Sequence, residues 1–196
     1  MTYLYTITNF GEATLVIPLV CGAIVALWTL GERANARTLA LAFALCLAVT
    51  VLTKILFMFV YRGGPLRSPS GHTALAAFVY GSLAVLAWKQ RGAGLLRYLI
   101  VALCGAIVLG VAVSRFKIGG HSRTETAFGL FYGFAAVAFL TRRFAWQPHS
   151  RANFVMSVAA GLVAVTIVYL VLATGAFDED AIAGVANWLR GLAARA

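Results

Sequence analysis

Charged residues are scarce in this chain, and acidic residues are the scarcest of them. Only 11% of the residues are charged and 62% are hydrophobic, which is more apolar surface than a soluble domain carries. The composition therefore predicts an integral membrane protein. The six acidic residues are too few to make a divalent-cation site, so we expect no metal, and we expect no cofactor.

Cysteine is also sparse, and the sequence predicts neither a disulfide nor a cysteine metal site. Cys21, Cys46 and Cys104 each stand alone inside an apolar run, which is typical of small core residues. The amino terminus also lacks the basic stretch of a signal peptide, so we expect the first apolar run to remain as a membrane helix.

Six apolar runs are bounded by charged residues or by glycine and proline. A membrane-spanning helix needs ~20 residues, and the third and fifth runs are at or below the short end of that range. Without an internal repeat or a linker, the sequence predicts one all-α bundle of six transmembrane helices over residues 1–196. The spans lie at roughly 10–30, 38–60, 73–88, 98–114, 126–141 and 152–174.

The carboxy-terminal tail carries apolar residues at helical spacing, which predicts a short interfacial helix on the outer leaflet; a frayed terminus is the alternative. These residues are Ile182, Val185, Leu189 and Leu192.

The basic residues indicate how the chain is oriented. The net charge of +10 is spread over short loops between apolar runs, which fits membrane topology and argues against nucleic acid as a partner. Three loops that share one side carry a cationic excess and are predicted to be cytoplasmic. Two other polar clusters then face outward, to the periplasm in a Gram-negative cell, against the usual charge bias. Anion binding would explain them.

The first outward cluster contains Ser68-Pro69-Ser70-Gly71-His72 before an apolar run. Serine followed by proline predicts a helix that begins here, with Ser68 as its cap. A helix amino terminus can hold a phosphate, Gly71 allows close approach to an anion, and His72 can transfer a proton near neutral pH. An ordinary capped helix with an interfacial histidine is the alternative.

The second outward cluster runs from Ser114-Arg115 to His121 and Glu125. On a helix, His121 and Glu125 would face each other, and the carboxylate could orient the imidazole as a nucleophile. Ser122 and Glu125 also fit a capping box, and the spacing alone does not separate these interpretations. Arg115 suits forked recognition of phosphate oxygens.

Together these residues resemble the type 2 phosphatidic acid phosphatase superfamily, which includes bacterial membrane lipid phosphatases. Its second motif, Pro-Ser-Gly-His, is complete at residues 69–72, and its third, Ser-Arg with a spaced histidine and acid, spans residues 114–125 with glutamate in place of aspartate. The first motif, a lysine followed after six residues by Arg-Pro, departs further. Here seven residues separate Lys54 from Arg62, and Gly63 stands in place of the proline. Arg67 is the competing candidate for that arginine.

The resemblance implies roles for these positions. His121 would attack phosphorus, Glu125 would orient it, and His72 would protonate the leaving group and then activate water. Phosphate oxygens would be held by Lys54, Arg62, Ser70, Gly71, Ser114 and Arg115. The remaining cations lie outside the motif positions and are candidate headgroup contacts, with an ordinary solvated surface as the alternative for Lys117 and Arg123; they are Arg67, Lys117 and Arg123.

The expected function is a lipid phosphatase of the bacterial cytoplasmic membrane, with its site facing outward. Surplus cations favour a polyprenyl pyrophosphate such as undecaprenyl pyrophosphate, although lipid A, phosphatidylglycerol phosphate and phosphatidic acid are alternatives. A lipid phosphotransferase shares every motif. A lipid-binding or transport protein on a decayed scaffold is the alternative outside enzymes.

Overall fold

The computed structural model describes residues 2–60, 68–89, 94–145 and 179–193, together with 161, 164–165 and 167–168. The described part of the chain contains helices and no strand. The elements are α1 (Thr2–Thr8), a 3-10 turn (Asn9–Gly11), α2 (Ala13–Thr29), α3 (Arg33–Val60), α4 (Gly71–Lys89), α5 (Gly94–Lys117), α6 (Arg123–Arg143) and α7 (Glu179–Ala193).

Five candidate membrane spans occur among these helices, which confirms an all-α, multi-pass membrane protein. The first span, Tyr3–Thr29, includes α1, the 3-10 turn and α2, and the other four are α3 to α6. The short third and fifth runs become helices of 19 and 21 residues because flanking polar residues join them. The sixth predicted span, 152–174, lies outside the described residues except for its few described positions, which are helical.

Glycines bring α4 and α6 into close contact. A Cβ atom on Gly129 would lie 2.5 Å from the Ser70 carbonyl oxygen, and one on Gly133 would lie 2.5 Å from the Ala74 carbonyl oxygen. Only glycine permits this approach, and two glycines four residues apart place both contacts on one face of α6. The backbones of the two helices that carry the site are therefore in direct contact.

The other helices surround this pair. Phe43 of α3 stacks on Phe78 of α4 with ring centroids 5.5 Å apart, inside a core cluster that α2 also joins. A second cluster, which includes Tyr80 and Val108, packs α4 against α5. Large apolar side chains of α3 and α5 point outward, as expected for surfaces that face lipid.

A polar clamp closes the end of the bundle opposite the site. The Asn35 side chain donates to the Glu32 carboxylate and to the Ala145 carbonyl oxygen, both at 2.6 Å, and accepts from the Ala145 N–H at 3.1 Å. Lys89 donates to the carbonyl oxygens of Thr141 and Phe144 at 2.7 and 2.6 Å. The start of α3 and the ends of α4 and α6 therefore meet here. This agrees with the prediction that the three loops with a cationic excess share one side.

The predicted carboxy-terminal helix is present as α7, which packs against α3. Val185, Trp188 and Leu192 are exposed on it at intervals of three and four residues. This spacing places them along one side of the helix. Its location at the outer leaflet stays a prediction.

Candidate active site

The first helix of the site begins at Gly71, so the prediction that Ser68 is its cap is wrong. Ser70 occupies that position, and its hydroxyl oxygen accepts hydrogen bonds from the Thr73 hydroxyl at 2.9 Å and the Thr73 N–H at 3.4 Å. The residues before it do not wind into the helix because their backbones bind α6. The Ser70 N–H donates to the Glu125 carbonyl oxygen at 3.0 Å.

Glu125 joins the two polar clusters through its carboxylate. One oxygen accepts from the Ser68 N–H at 2.8 Å and the other from the Ser122 N–H at 2.7 Å. The Ser122 hydroxyl oxygen accepts from the Glu125 N–H at 3.2 Å, which completes the capping box. This buried carboxylate therefore caps α6 and also fixes the chain that leads into α4.

His121 lies in the turn before α6, because the capping box starts the helix after Ser122. The facing of His121 and Glu125 was argued for two residues on one helix, and His121 is not on it. From this turn its Nδ1 atom still comes within 3.4 Å of a Glu125 carboxylate oxygen. That nitrogen is buried and has no hydrogen-bond partner in the described part of the chain. At this separation the carboxylate faces the ring, and a small movement would close the hydrogen bond.

The surroundings of His121 lower its pKa below the ordinary value of 6.5. Burial is the main cause, since it disfavours the imidazolium, and the positive charges of Arg115 and Lys54 act in the same direction. The Glu125 carboxylate opposes them and does not outweigh them. The imidazole is therefore neutral near pH 7, which is the form that can act as a nucleophile.

A glycine turn folds Arg115 back toward His121. The His121 N–H donates to the Arg115 carbonyl oxygen at 3.2 Å, across a turn in which Gly119 has a φ of +79°. A Cβ atom on Gly120 would lie 3.2 Å from a guanidinium nitrogen of Arg115. The missing side chain therefore leaves the space that the guanidinium occupies.

Lys54 reaches the same place from α3. Its side chain is buried, and its Nζ atom lies 3.7 Å from the position that a Cβ atom of Gly71 would take. The ammonium group is thus against the first turn of α4, where the helix dipole also favours an anion. Lys54 and Arg115 both act on the pKa of His121. The structure therefore brings the two polar clusters of the sequence together at one end of the bundle.

The remaining predicted site residues differ in what their surroundings permit. The buried Ser114 hydroxyl donates to the Val111 carbonyl oxygen at 2.8 Å, so in this arrangement it offers a phosphate no hydrogen. His72 is the second residue of α4 and is partly buried. Lys117 and Arg123 are exposed, and the Arg123 guanidinium lies 5.8 Å from the centre of the Phe116 ring. Arg62 and Arg67 lie outside the described residues.

Two aromatic rings beside the site were not anticipated from the sequence. Phe57 of α3 and Phe128 of α6 lie with ring centroids 6.4 Å apart. Each ring follows a site residue, Lys54 or Glu125, by three positions. On a helix this spacing makes the two side chains neighbours, so the rings could have been found from the sequence. On each helix the ring therefore lies on the same face as the site residue, about one turn further along the chain.

Comparison with known families agrees with this arrangement. The model of the PAP2 superfamily matches residues 53–149, about half of the chain, from the position before Lys54 to beyond α6. The chain belongs to this superfamily, whose members are phosphatases. No curated protein and no solved structure matches the chain.

Proposed function

We propose that the protein hydrolyses a lipid phosphate or pyrophosphate at the outer face of the cytoplasmic membrane, through a phosphohistidine intermediate. The observation that carries the proposal is the setting of His121. This neutral imidazole is held 3.4 Å from a carboxylate and is influenced by two cations, Arg115 and Lys54. A nucleophile with an orienting acid and fixed positive charges is what phosphoryl transfer requires.

In the proposed reaction, the Nε2 atom of His121 attacks phosphorus, because Nδ1 faces Glu125. The bond from phosphorus to the leaving oxygen breaks, and His72 gives that oxygen a proton. His72 then takes a proton from water, which attacks the phosphohistidine and releases inorganic phosphate and His121. Lys54, Arg115 and the first turn of α4 stabilise the charge on the phosphate oxygens. The cations fill the role that a metal ion has in other phosphatases.

The lipid class of the substrate is supported by where these groups lie. They are at the ends of membrane-spanning helices, and the Phe57 and Phe128 rings offer an apolar surface beside them. A lipid could keep its chain in the bilayer while its headgroup enters sideways. A soluble phosphate ester would gain nothing from this placement.

The first choice of substrate is a polyprenyl pyrophosphate such as undecaprenyl pyrophosphate. Lys117 and Arg123 are exposed cations beside the motif residues, and a headgroup with two phosphates could use them. We expect a higher kcat/KM for the pyrophosphate than for phosphatidic acid at matched detergent mole fraction, and a reduced preference in Lys117→Ala or Arg123→Ala. Arg142→Ala, at the opposite end of α6, is the control. An unchanged preference in both site variants would mean that these cations only decorate the surface.

The deciding experiment measures phosphate release by the purified protein, with and without an acceptor lipid. We expect release without an acceptor, persistence of activity in EDTA, and none in His121→Ala. Thr124→Ala, an exposed neighbour in α6, should retain activity. Phosphate transfer that occurs only with an acceptor would identify a phosphotransferase. Absence of any turnover in the folded wild-type protein would favour a lipid-binding protein.

The outward orientation can be tested with a pair of exposed positions at opposite ends of the bundle. We expect Thr124→Cys to react with an impermeant thiol reagent in intact cells whose outer membrane is permeabilised, and Ala34→Cys to react only after lysis. Cys46 and Cys104 are buried and give little background, and the partly buried Cys21 is replaced by alanine in both variants. The reverse labelling pattern would place the site in the cytoplasm.

A further inference from the structure

The amino-terminal segment, residues 2–11, packs directly on the helix that carries His72. Helix α1 lies along α5, and the 3-10 turn that follows it lies against α4. Gly11 is buried at the end of this turn, and a Cβ atom on it would lie 2.5 Å from the His72 carbonyl oxygen. The absence of one methyl group therefore determines how close the segment comes to the first turn of α4.

A second contact holds the same segment to the same helix. The Tyr80 hydroxyl donates a hydrogen bond to the Phe10 carbonyl oxygen at 3.1 Å. Tyr80 follows His72 by eight positions, which places both near one face of α4, and its side chain extends toward the start of the helix. Tyr80 is also part of the core between α4 and α5. The hydrogen bond thus anchors the turn at a fixed point of the helix.

We propose that Gly11 and Tyr80 are positioning residues for His72. Tyr80 holds the segment in place, and Gly11 lets it rest against the backbone of His72, so that together they set the position of the first turn of α4. That turn carries the proposed general acid, and the inference rests on the proposed function. The segment then supports the first turn of α4 and is also the start of the first membrane span.

This role predicts a defect in one step of the reaction. If His72 is displaced, proton donation to the leaving oxygen suffers, and attack by His121 on phosphorus does not. A leaving group that needs no proton should therefore react almost normally. The value of kcat/KM includes only the steps up to departure of the leaving group, so it reports on this step without interference from hydrolysis of the phosphohistidine.

The test uses purified full-length protein in detergent and a series of substituted phenyl phosphates of increasing leaving-group basicity, with phosphatidic acid at the basic end. In Gly11→Ala we expect kcat/KM to fall about tenfold for phosphatidic acid and to change less than about threefold for 4-nitrophenyl phosphate. The dependence of kcat/KM on leaving-group basicity should therefore become steeper. His72→Ala sets the limit of this effect.

Gly110→Ala is the matched control. A Cβ atom there would lie 3.2 Å from the Cγ2 methyl group of Ile7, so it presses on the same segment without touching α4. We expect its dependence on leaving-group basicity to equal that of the wild type. Tyr80→Phe removes the hydrogen bond without adding volume, and it should steepen the dependence in a protein that folds even if Gly11→Ala does not.

Two results would overturn the inference. One is an equal loss in kcat/KM for every substrate in Gly11→Ala, which would indicate general destabilisation. The other is a wild-type dependence in Tyr80→Phe when Gly11→Ala is unfolded. Failure of the proposed function itself is distinguishable, because the wild-type protein would then release no phosphate from any member of the series.

Discussion

Replacing Glu125 by glutamine separates the structural and the chemical use of this side chain. The carboxylate accepts two backbone hydrogen bonds, from the N–H groups of Ser68 and Ser122, and faces His121 at 3.4 Å. Glutamine has nearly the same shape and keeps one accepting oxygen. Its NH2 group cannot accept, so one of the two backbone donors loses its partner and the other loses a charged one.

The effect on stability can be worked out from these contacts. A hydrogen bond to a charged group contributes ~1.5–3 kcal/mol and a neutral one ~0.5–1.5 kcal/mol. Losing one charged bond and weakening the other should lower the free energy of unfolding by roughly 3 kcal/mol. Thermal unfolding of the purified protein in detergent should show a clear fall in Tm, because the two affected hydrogen bonds hold the residues before α4 and α6 in place.

The effect on turnover should be larger than stability alone predicts. Without the carboxylate, the His121 imidazole loses its orienting group, and an acid that orients a catalytic imidazole contributes about 100-fold or more to the rate. We therefore expect kcat to fall at least 100-fold at a temperature where the variant is fully folded. Phosphate release from phosphatidic acid, measured well below the Tm of the variant, is the assay.

Ser122→Ala is the matched control for this prediction. It removes the other half of the capping box, the 3.2 Å bond from the Glu125 N–H, and leaves the carboxylate in place. It should lower stability by ~1 kcal/mol with little change in kcat. If Glu125→Gln shows a lowered Tm and near wild-type kcat, the carboxylate is only a cap and the chemical argument fails.

Three further variants test the packing and the electrostatics. Gly133→Ala should lower the free energy of unfolding by ~1–3 kcal/mol, because its methyl group would meet a backbone carbonyl of α4. Gly105→Ala, whose methyl group would point into open space, should leave the free energy of unfolding unchanged. Equal Tm values for the two variants would contradict this prediction. Asn35→Ala removes the hydrogen bonds of the clamp, so it should lower the free energy of unfolding by ~2–3 kcal/mol. Because the clamp is at the end of the bundle opposite the site, kcat/KM should not change. A lower kcat/KM in the folded variant would contradict this. Because the pKa of His121 is lowered, the imidazole stays neutral and kcat/KM should stay high below pH 6.5. Lys54→Gln removes a positive charge, so it should raise the pKa of His121 and move the acidic limb of the profile of kcat/KM against pH to higher pH. An acidic limb at the wild-type pH would show that the charge of Lys54 does not act on His121.

The sequence predicted the five membrane helices that the structure describes, because hydropathy depends on local pattern, and the motif residues predicted that the two clusters meet. It misplaced the start of α4. Ser68 has the residue type of a cap, but its N–H is bound by a carboxylate 57 positions away, and no local pattern contains that bond. For His121 and Glu125 the spacing left two interpretations open, and the structure contains the capping box, with Ser122 as the cap and His121 in the turn before it.

The contact between α4 and α6 shows where a signal was present and unused. Gly129 and Gly133 have the four-residue spacing that lets membrane helices approach closely. The spacing alone does not say which helix lies opposite, so the contact with Ser70 and Ala74 comes from the structure. The aromatic pair beside the site is similar, since spacing gives the face of each helix and not its neighbour.

The glycine contact between α4 and α6 has a consequence for how the protein enters the membrane. These two helices are the least hydrophobic of the five candidate spans, while α3 and α5, which precede them in the chain, are the most hydrophobic. A span that partitions weakly into lipid is stabilised in the membrane by neighbouring helices. The closest neighbour of α4 is α6, which is synthesised only after α5. Each of these two weakly hydrophobic helices therefore enters the bilayer directly after a more hydrophobic span. A truncation after α5 would leave α4 without the surface that its small residues fit, and such a fragment should be a target for membrane quality control.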